Sequence, residues 1–136
     1  MESVNKKSRK FAVLQSGARM NYAVPALLCR AGALKAFYTD LHANHRLIKC
    51  LDNLLPNRFK FKALKRLLGR KIPEEIPIKM VKDQPIKTLL NYSKQSLIDK
   101  NVMLRASKEK FNGANAIYTN FINDDIDTII YAKKLG

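Results

Sequence analysis

The sequence predicts an α/β domain, a short and mostly parallel sheet of about four strands layered between helices. Three observations carry that prediction. The run FAVL, Phe11 to Leu14, is unbroken and apolar behind a basic flank, which suits a strand buried on both faces of a parallel sheet. The segment LKAFYT, Leu34 to Thr39, is rich in aromatic residues and returns after one helix-length interval, completing a βαβ unit with a right-handed crossover. A last apolar run, AIYT at Ala116 to Thr119, leads into another helical stretch.

Between the first two strands Gly17 permits a sharp exit, and Pro25 fits the first position of a helix that runs to about Ala31 and stops at Gly32. Proline also disfavours helical backbone at Val24, which becomes the cap-like residue. Ala26, Leu27, Leu28 and Ala31 make this helix apolar nearly all round, so it is expected against the sheet. Its free N–H groups point at the loop from Ser16 to Tyr22, where Arg19 and Asn21 make a site suited to an anion or a sugar. Neither G-x-G-x-x-G nor G-x-x-x-x-G-K-[ST] is present, so a dinucleotide or P-loop site is not indicated.

Asp40 closes the second strand. Ligands of open α/β sheets lie beyond the carboxyl ends of the strands, so Asp40, Leu41 and His42 are expected on the same edge as Gly17 and Arg19. His42 and His45 are spaced to share an ion, but no third ligand is in place, and exposed polar side chains are the simpler expectation for the pair. His42 at a strand end is alternatively placed to bond an acceptor hydroxyl. No metal site is expected.

Arg46 to Lys71 reads as two linked helices, LIKCLDNLL ending at Pro56 and RFKFKALKRLLGRK stopping near Gly69. On a helical wheel Phe59, Ala63, Leu64, Leu67 and Leu68 fall opposite Arg58, Lys62, Lys65 and Arg66. The apolar side is then either ordinary core or, through Arg58 to Lys71, a peripheral contact with anionic membrane. Prolines 73, 77 and 85 exclude helix around a short third strand at Ile78 to Val81. Ile86 to Phe111 has near-helical apolar spacing, as one long or broken helix with its charges facing water, ended by Asn112 and Gly113. Asn123 or Asp124 caps a final helix; Asp124, Asp125 and Asp127 crowd its first turn, and Lys133 and Lys134 its last, in the order a helix dipole favours. That arrangement makes the aspartates structural rather than metal ligands. The halt at Lys134, Leu135 and Gly136 comes where such a sheet would begin its next strand, so the domain is expected to be incomplete at its carboxyl end.

The 136 residues, 46% hydrophobic, suffice for one domain over residues 11–136 after a basic, frayed lead-in at residues 1–10. No apolar run approaches the ~20 residues of a membrane span, and MESVNKKSRK lacks the core of a secretion signal, so a cytoplasmic protein is expected. Cys29 and Cys50 have no metal-like spacing and are expected as thiols. A formal charge of +15 attracts nucleic acid, anionic lipid or phosphorylated sugars alike. Nucleic acid is disfavoured because the K/R-G-F/Y pattern is missing.

QSGARMNYAVPALLCRAGALKAFYTDL, Gln15 to Leu41, resembles the opening of the acceptor-side N-terminal domain of family 4 glycosyltransferases of the GT-B fold. The likeness is strongest from Phe11 to Leu41, with weaker echoes at Ile72 to Val81 and Gly113 to Phe121. It implies a Rossmann-like domain from a retaining enzyme that moves a hexose from a nucleotide sugar, the co-substrate, to an acceptor, with no further cofactor. The loop of Ser16, Gly17, Arg19 and Asn21 would face the diphosphate across a cleft, and Tyr22, Asp40 and His42 would line the acceptor side. Location at the inner face of the membrane follows where the acceptor is lipid-linked. The paired glutamates E-x-x-x-x-x-x-x-E of the family's donor-binding domain are missing, the only glutamates being Glu2, Glu74, Glu75 and Glu109. Residues 1–136 are therefore expected to lack activity alone.

Overall fold

Four strands form one sheet in the order β3-β2-β1-β4, all parallel, in the computed structural model, which describes residues 8–60, 62–120 and 126–135. They are β1 (Phe11–Leu14), β2 (Leu34–Tyr38), β3 (Val81–Lys82) and β4 (Ala116–Thr119). Central β1 pairs with β2 on one side and β4 on the other, and Ala12, Val13 and Leu14 are accordingly buried. This is a small Rossmann-like domain whose helices are α1 (Ala23–Arg30), α2 (Arg46–Leu54), α3 (Lys62–Leu68), α4 (Pro85–Leu90), α5 (Gln95–Lys108) and α6 (Ile126–Leu135).

Strand alternation divides the core into two layers. Ala12, Leu14, Ala36 and Tyr38 pack against Val102, Met103 and Ala106 of α5 and against Phe111. Val13, Leu34 and Phe37 pack on the other face against Tyr22, Ala26 of α1, Ile72 and Ile76. Leu34 shares a face with Phe37, against strict alternation, because the pairing skips a residue between Phe11↔Leu34 and Ala12↔Ala36. The extra residue, Lys35, is exposed. A satellite cluster of Leu41, Ile48 and Leu67 joins α2 and α3 to the sheet's carboxyl edge.

Several boundaries differ from the sequence reading. Helix α1 starts at Ala23, with Tyr22 at its cap, so Val24 and Pro25 are both helical. The first four N–H groups of a helix have no internal partner, so a proline is accommodated after N1 as well. Not all of its apolar surface is covered, Leu27 being exposed. Strand β2 ends at Tyr38, one residue before Thr39. The third strand is Val81–Lys82 rather than Ile78 to Val81, because Ile78–Met80 forms a 3-10 turn after Pro77. The helix of residues 86–111 is broken, α4 ending at Leu90 and α5 beginning at Gln95. Its charges do not all face water: Asp99 accepts from Ser16 Oγ at 2.5 Å, and Arg105 donates to the Asp83 carbonyl and to Glu109. Phe59 lies in a separate 3-10 turn, 60% exposed, while Leu64 and Leu67 are buried. Lys10 is fastened rather than frayed, its N–H on Asn115 Oδ1 and its Nζ on the Gly32 carbonyl. The expected cap at Asn123 or Asp124, Asp125 of the first-turn aspartates and residues 1–7 of the lead-in lie outside the described residues, while Asp127 is in the first turn of α6. Among the described residues no helix is long and apolar enough to cross a membrane.

Candidate functional site at the carboxyl edge of the sheet

The order of strand addition reverses about β1: β2 and β3 build to one side, and β4 is added on the other. The crevice at such a switch point, beyond the strand ends, is where open α/β sheets hold ligands. Residues following β1 lie at that edge. Gly17 turns with φ +71°, a left-handed backbone that a residue with a Cβ adopts only under strain. Met20, Asn21 and Tyr22 follow at φ 50°, 50° and 59°, three left-handed residues in succession. Outside glycine each costs about 1–2 kcal/mol, and such strain concentrates at ligand sites.

Asp40 organises the turn. Its side chain is 3% exposed; Oδ1 accepts from the Gly17 N–H at 3.0 Å and from Thr39 Oγ1 at 3.2 Å, and Oδ2 accepts from Arg70 Nη1 at 3.0 Å. A buried carboxylate is tolerated when its lone pairs are filled in this way. Gln15 Nε2 donates to the carbonyls of Gly17 and Arg19, both at 3.1 Å. Ser16 Oγ is bound to Asp99, and Gln95 Nε2 donates to both Ser16 Oγ and Asp99 Oδ1. The loop is thus held from α5 as well as from β2.

The structure brings Ser16, Gly17 and Asp40 together, as the sequence reading expected, and adds Arg70, Gln95 and Asp99. Arg19 and Asn21 are exposed, with Arg19 Nη1 donating to the Asn120 carbonyl at 3.4 Å, at the end of β4. Tyr22 does not line an acceptor surface. Its ring is fully buried, edge-on to Phe37 with centroids 5.6 Å apart, because the left-handed turn swings it under the sheet. Its hydroxyl is buried and has no hydrogen-bond partner among the described residues. Burial pushes that hydroxyl well above the ordinary tyrosine value, the Asp40 charge adds to the rise, and Arg70 opposes it.

His42 and His45 are not an exposed pair. His42 is 3% exposed, and its Nε2 lies 3.2 Å from Asp83 Oδ2, while His45 Nε2 lies 3.7 Å from the same oxygen. His45 also caps α2, its Nδ1 accepting from the Leu47 N–H, so the hydrogen of a neutral ring sits on Nε2. Among the described residues no group of three or more His, Cys, Asp and Glu side chains is arranged to hold a metal ion. Cys29 and Cys50 are free thiols.

Burial works against the charged form of Asp83, but His42 and then His45 outweigh it and hold the carboxyl below its ordinary value of 3.8. A depressed folded-state pKa means the unfolded chain binds the extra proton first. Asp83 therefore contributes stability above that ordinary value and loses it as pH falls through the folded one. Urea midpoints compared at about pH 5 and about pH 3 should fall steeply for the wild type and less for Asp83→Asn. Equal falls would remove Asp83 from the acid response.

Comparison of the chain with family models, with curated proteins and with solved structures finds no match.

Proposed function

We propose that the chain is the acceptor-side portion of a retaining glycosyltransferase that moves a hexose from a nucleotide sugar to an acceptor. The observation that carries this reading is the Ser16 to Tyr22 loop at the switch point, held against Asp40 by the Gly17 N–H. It coincides with the stretch whose sequence resembles family 4 enzymes. In this reading a second domain supplies the glutamate pair and binds the nucleotide sugar, and residues 1–136 alone carry no turnover. Arg19 and Asn21, both exposed, face the cleft, and Arg19 offsets charge that develops on the leaving diphosphate. Asp40 and His42, at 2% and 3% exposure, position the acceptor side through Arg70 and Asp83 rather than by direct contact.

The test uses the chain joined to a donor-binding domain, with transfer from a nucleotide sugar as readout. Gly17→Val and Arg19→Ala are each expected to lower kcat/KM by ~10-fold or more. Unchanged turnover in both would remove the loop from the reaction.

A second reading, contact with an anionic membrane surface, is favoured by one observation. Leu47, Leu51 and Leu54 share one face of α2 and are 45%, 38% and 72% exposed. Phe59 follows with the Arg58 guanidinium 4.9 Å from its ring centroid, and residues 46–71 hold nine Lys and Arg against Asp52 alone. The membrane-facing surface is then α2 and the turn after it, since Leu64 and Leu67 of α3 are core. Co-sedimentation with phosphatidylserine vesicles, lost on Leu54→Glu and absent for RNA at matched salt, separates this reading from nucleic-acid binding.

A further inference from the structure

We infer that Arg70 is the cation which the Gly17 turn presents to a phosphate-type anion, an inference that rests on reading the loop as a ligand site. Arg70 lies far along the chain from the loop and reaches it from the segment after α3. Among the described residues its guanidinium is fixed from one side, by Asp40. Asp40 takes Nη1 at 3.0 Å, and a planar guanidinium gripped at one edge still offers its other N–H groups in a set direction. The side chain is 28% exposed, so it is anchored in the protein while part of it meets solvent.

Gly17 bears directly on this geometry. A Cβ placed there would sit 3.9 Å from Arg70 Nη2 and 4.0 Å from its Cζ. A methyl there would be in ordinary van der Waals contact with the guanidinium. The glycine thus supplies the φ of +71° and leaves that side of Nη2 uncovered. The Asp40 charge is meanwhile spread over Gly17 N–H, Thr39 Oγ1 and Arg70, which limits its repulsion of an incoming anion.

Among the described residues the buried Tyr22 hydroxyl has no hydrogen-bond partner, which is uncommon, and the charges of Asp40 and Arg70 both act on it. Arg19 differs on each count, being exposed and turned toward the Asn120 carbonyl. The ligand chemistry that fits is a pair of tetrahedral anionic groups, as in a diphosphate, one on the Arg70 edge and the other toward the exposed loop.

The experiment is calorimetric titration of the full chain with inorganic pyrophosphate at fixed ionic strength. Wild type is expected to bind one equivalent saturably. Arg70→Lys keeps a cation for Asp40 but loses the planar fork, and should weaken binding ~10-fold with little change in melting temperature. Gly17→Val should weaken it comparably. Lys35→Gln removes one exposed charge at the amino end of the sheet and should leave affinity unchanged. No saturable binding by wild type, equal affinity in Arg70→Lys, or an equal loss in Lys35→Gln would each overturn the assignment. The sugar-transfer reading is decided separately: pyrophosphate held through Arg70 by a chain whose donor-joined form transfers no hexose keeps the anion site and removes the transferase, and transfer with Arg70 indifferent does the reverse.

Discussion

Replacement of Asp40 by Ala is expected to lower the melting temperature by roughly 10–15 °C, from a stability loss of about 3 kcal/mol. Three donors converge on this one carboxylate, and each loses its acceptor together. Removing one partner of a buried pair costs about 3–5 kcal/mol because the other charge is stranded. The value falls at the lower end because Arg70 is 28% exposed and water takes up part of its charge. Asp40→Asn keeps the Oδ1 acceptor for Gly17 and loses only the charge toward Arg70, so roughly half the effect is expected. Thermal melts of the two variants beside wild type decide the matter, and a loss below about 1 kcal/mol for Asp40→Ala would mean that the pair is solvated.

Phe37→Ala is expected to be at least as damaging, at about 3–5 kcal/mol, since the ring is fully buried and a cavity replaces it. Phe37 sits between α1 and the segment at residues 72–76, with the Tyr22 ring edge-on against it. Its loss should act on the loop too. Tyr22 is held in a left-handed conformation with φ 59°, and without its aromatic partner less packing opposes that strain. Urea denaturation measures the first effect, and pyrophosphate affinity at a temperature where the variant is folded measures the second. Phe37→Leu fills most of the space and should cost about 1.5 kcal/mol or less. A Phe37→Ala chain as stable as Phe37→Leu would show that the site collapses around the missing ring.

The strands and the turn were legible because their signals are local. FAVL, LKAFYT and AIYT each declare a strand within a few residues, and each forms one in the parallel sheet, β1 and β2 buried and β4 largely exposed. Asp40 was legible by position, as the polar residue that closes β2 on the Gly17 edge. The distant partners were not. Arg70 reaches Asp40 across 30 residues, and Gln95 and Asp99 reach Ser16 of the loop across 79 and 83, while a lone arginine after a basic helix looks like every other arginine in a chain of charge +15. Tyr22 was misplaced because nothing in Met20, Asn21 and Tyr22 apart from the asparagine announces left-handed backbone. His42 reads as exposed in the sequence because its cover, Asp83, lies beyond α3 and the proline-rich stretch, in a segment whose strand begins three residues later than the apolar run suggests.

The placement of β1 also sets the order in which the molecule can be assembled. Phe11 pairs with Ala116, 105 residues later, so the strand at the middle of the sheet has one flank open until residues 116–119 have been made. At about 5–20 residues per second, a ribosome delivers β4 some 5–20 s after β1. During that interval Val13 and Leu14 have only β2 beside them, and a nascent chain with an unpaired apolar edge is prone to join another. Yield on synthesis should therefore depend on elongation rate and chaperone supply more than the finished fold's stability would suggest.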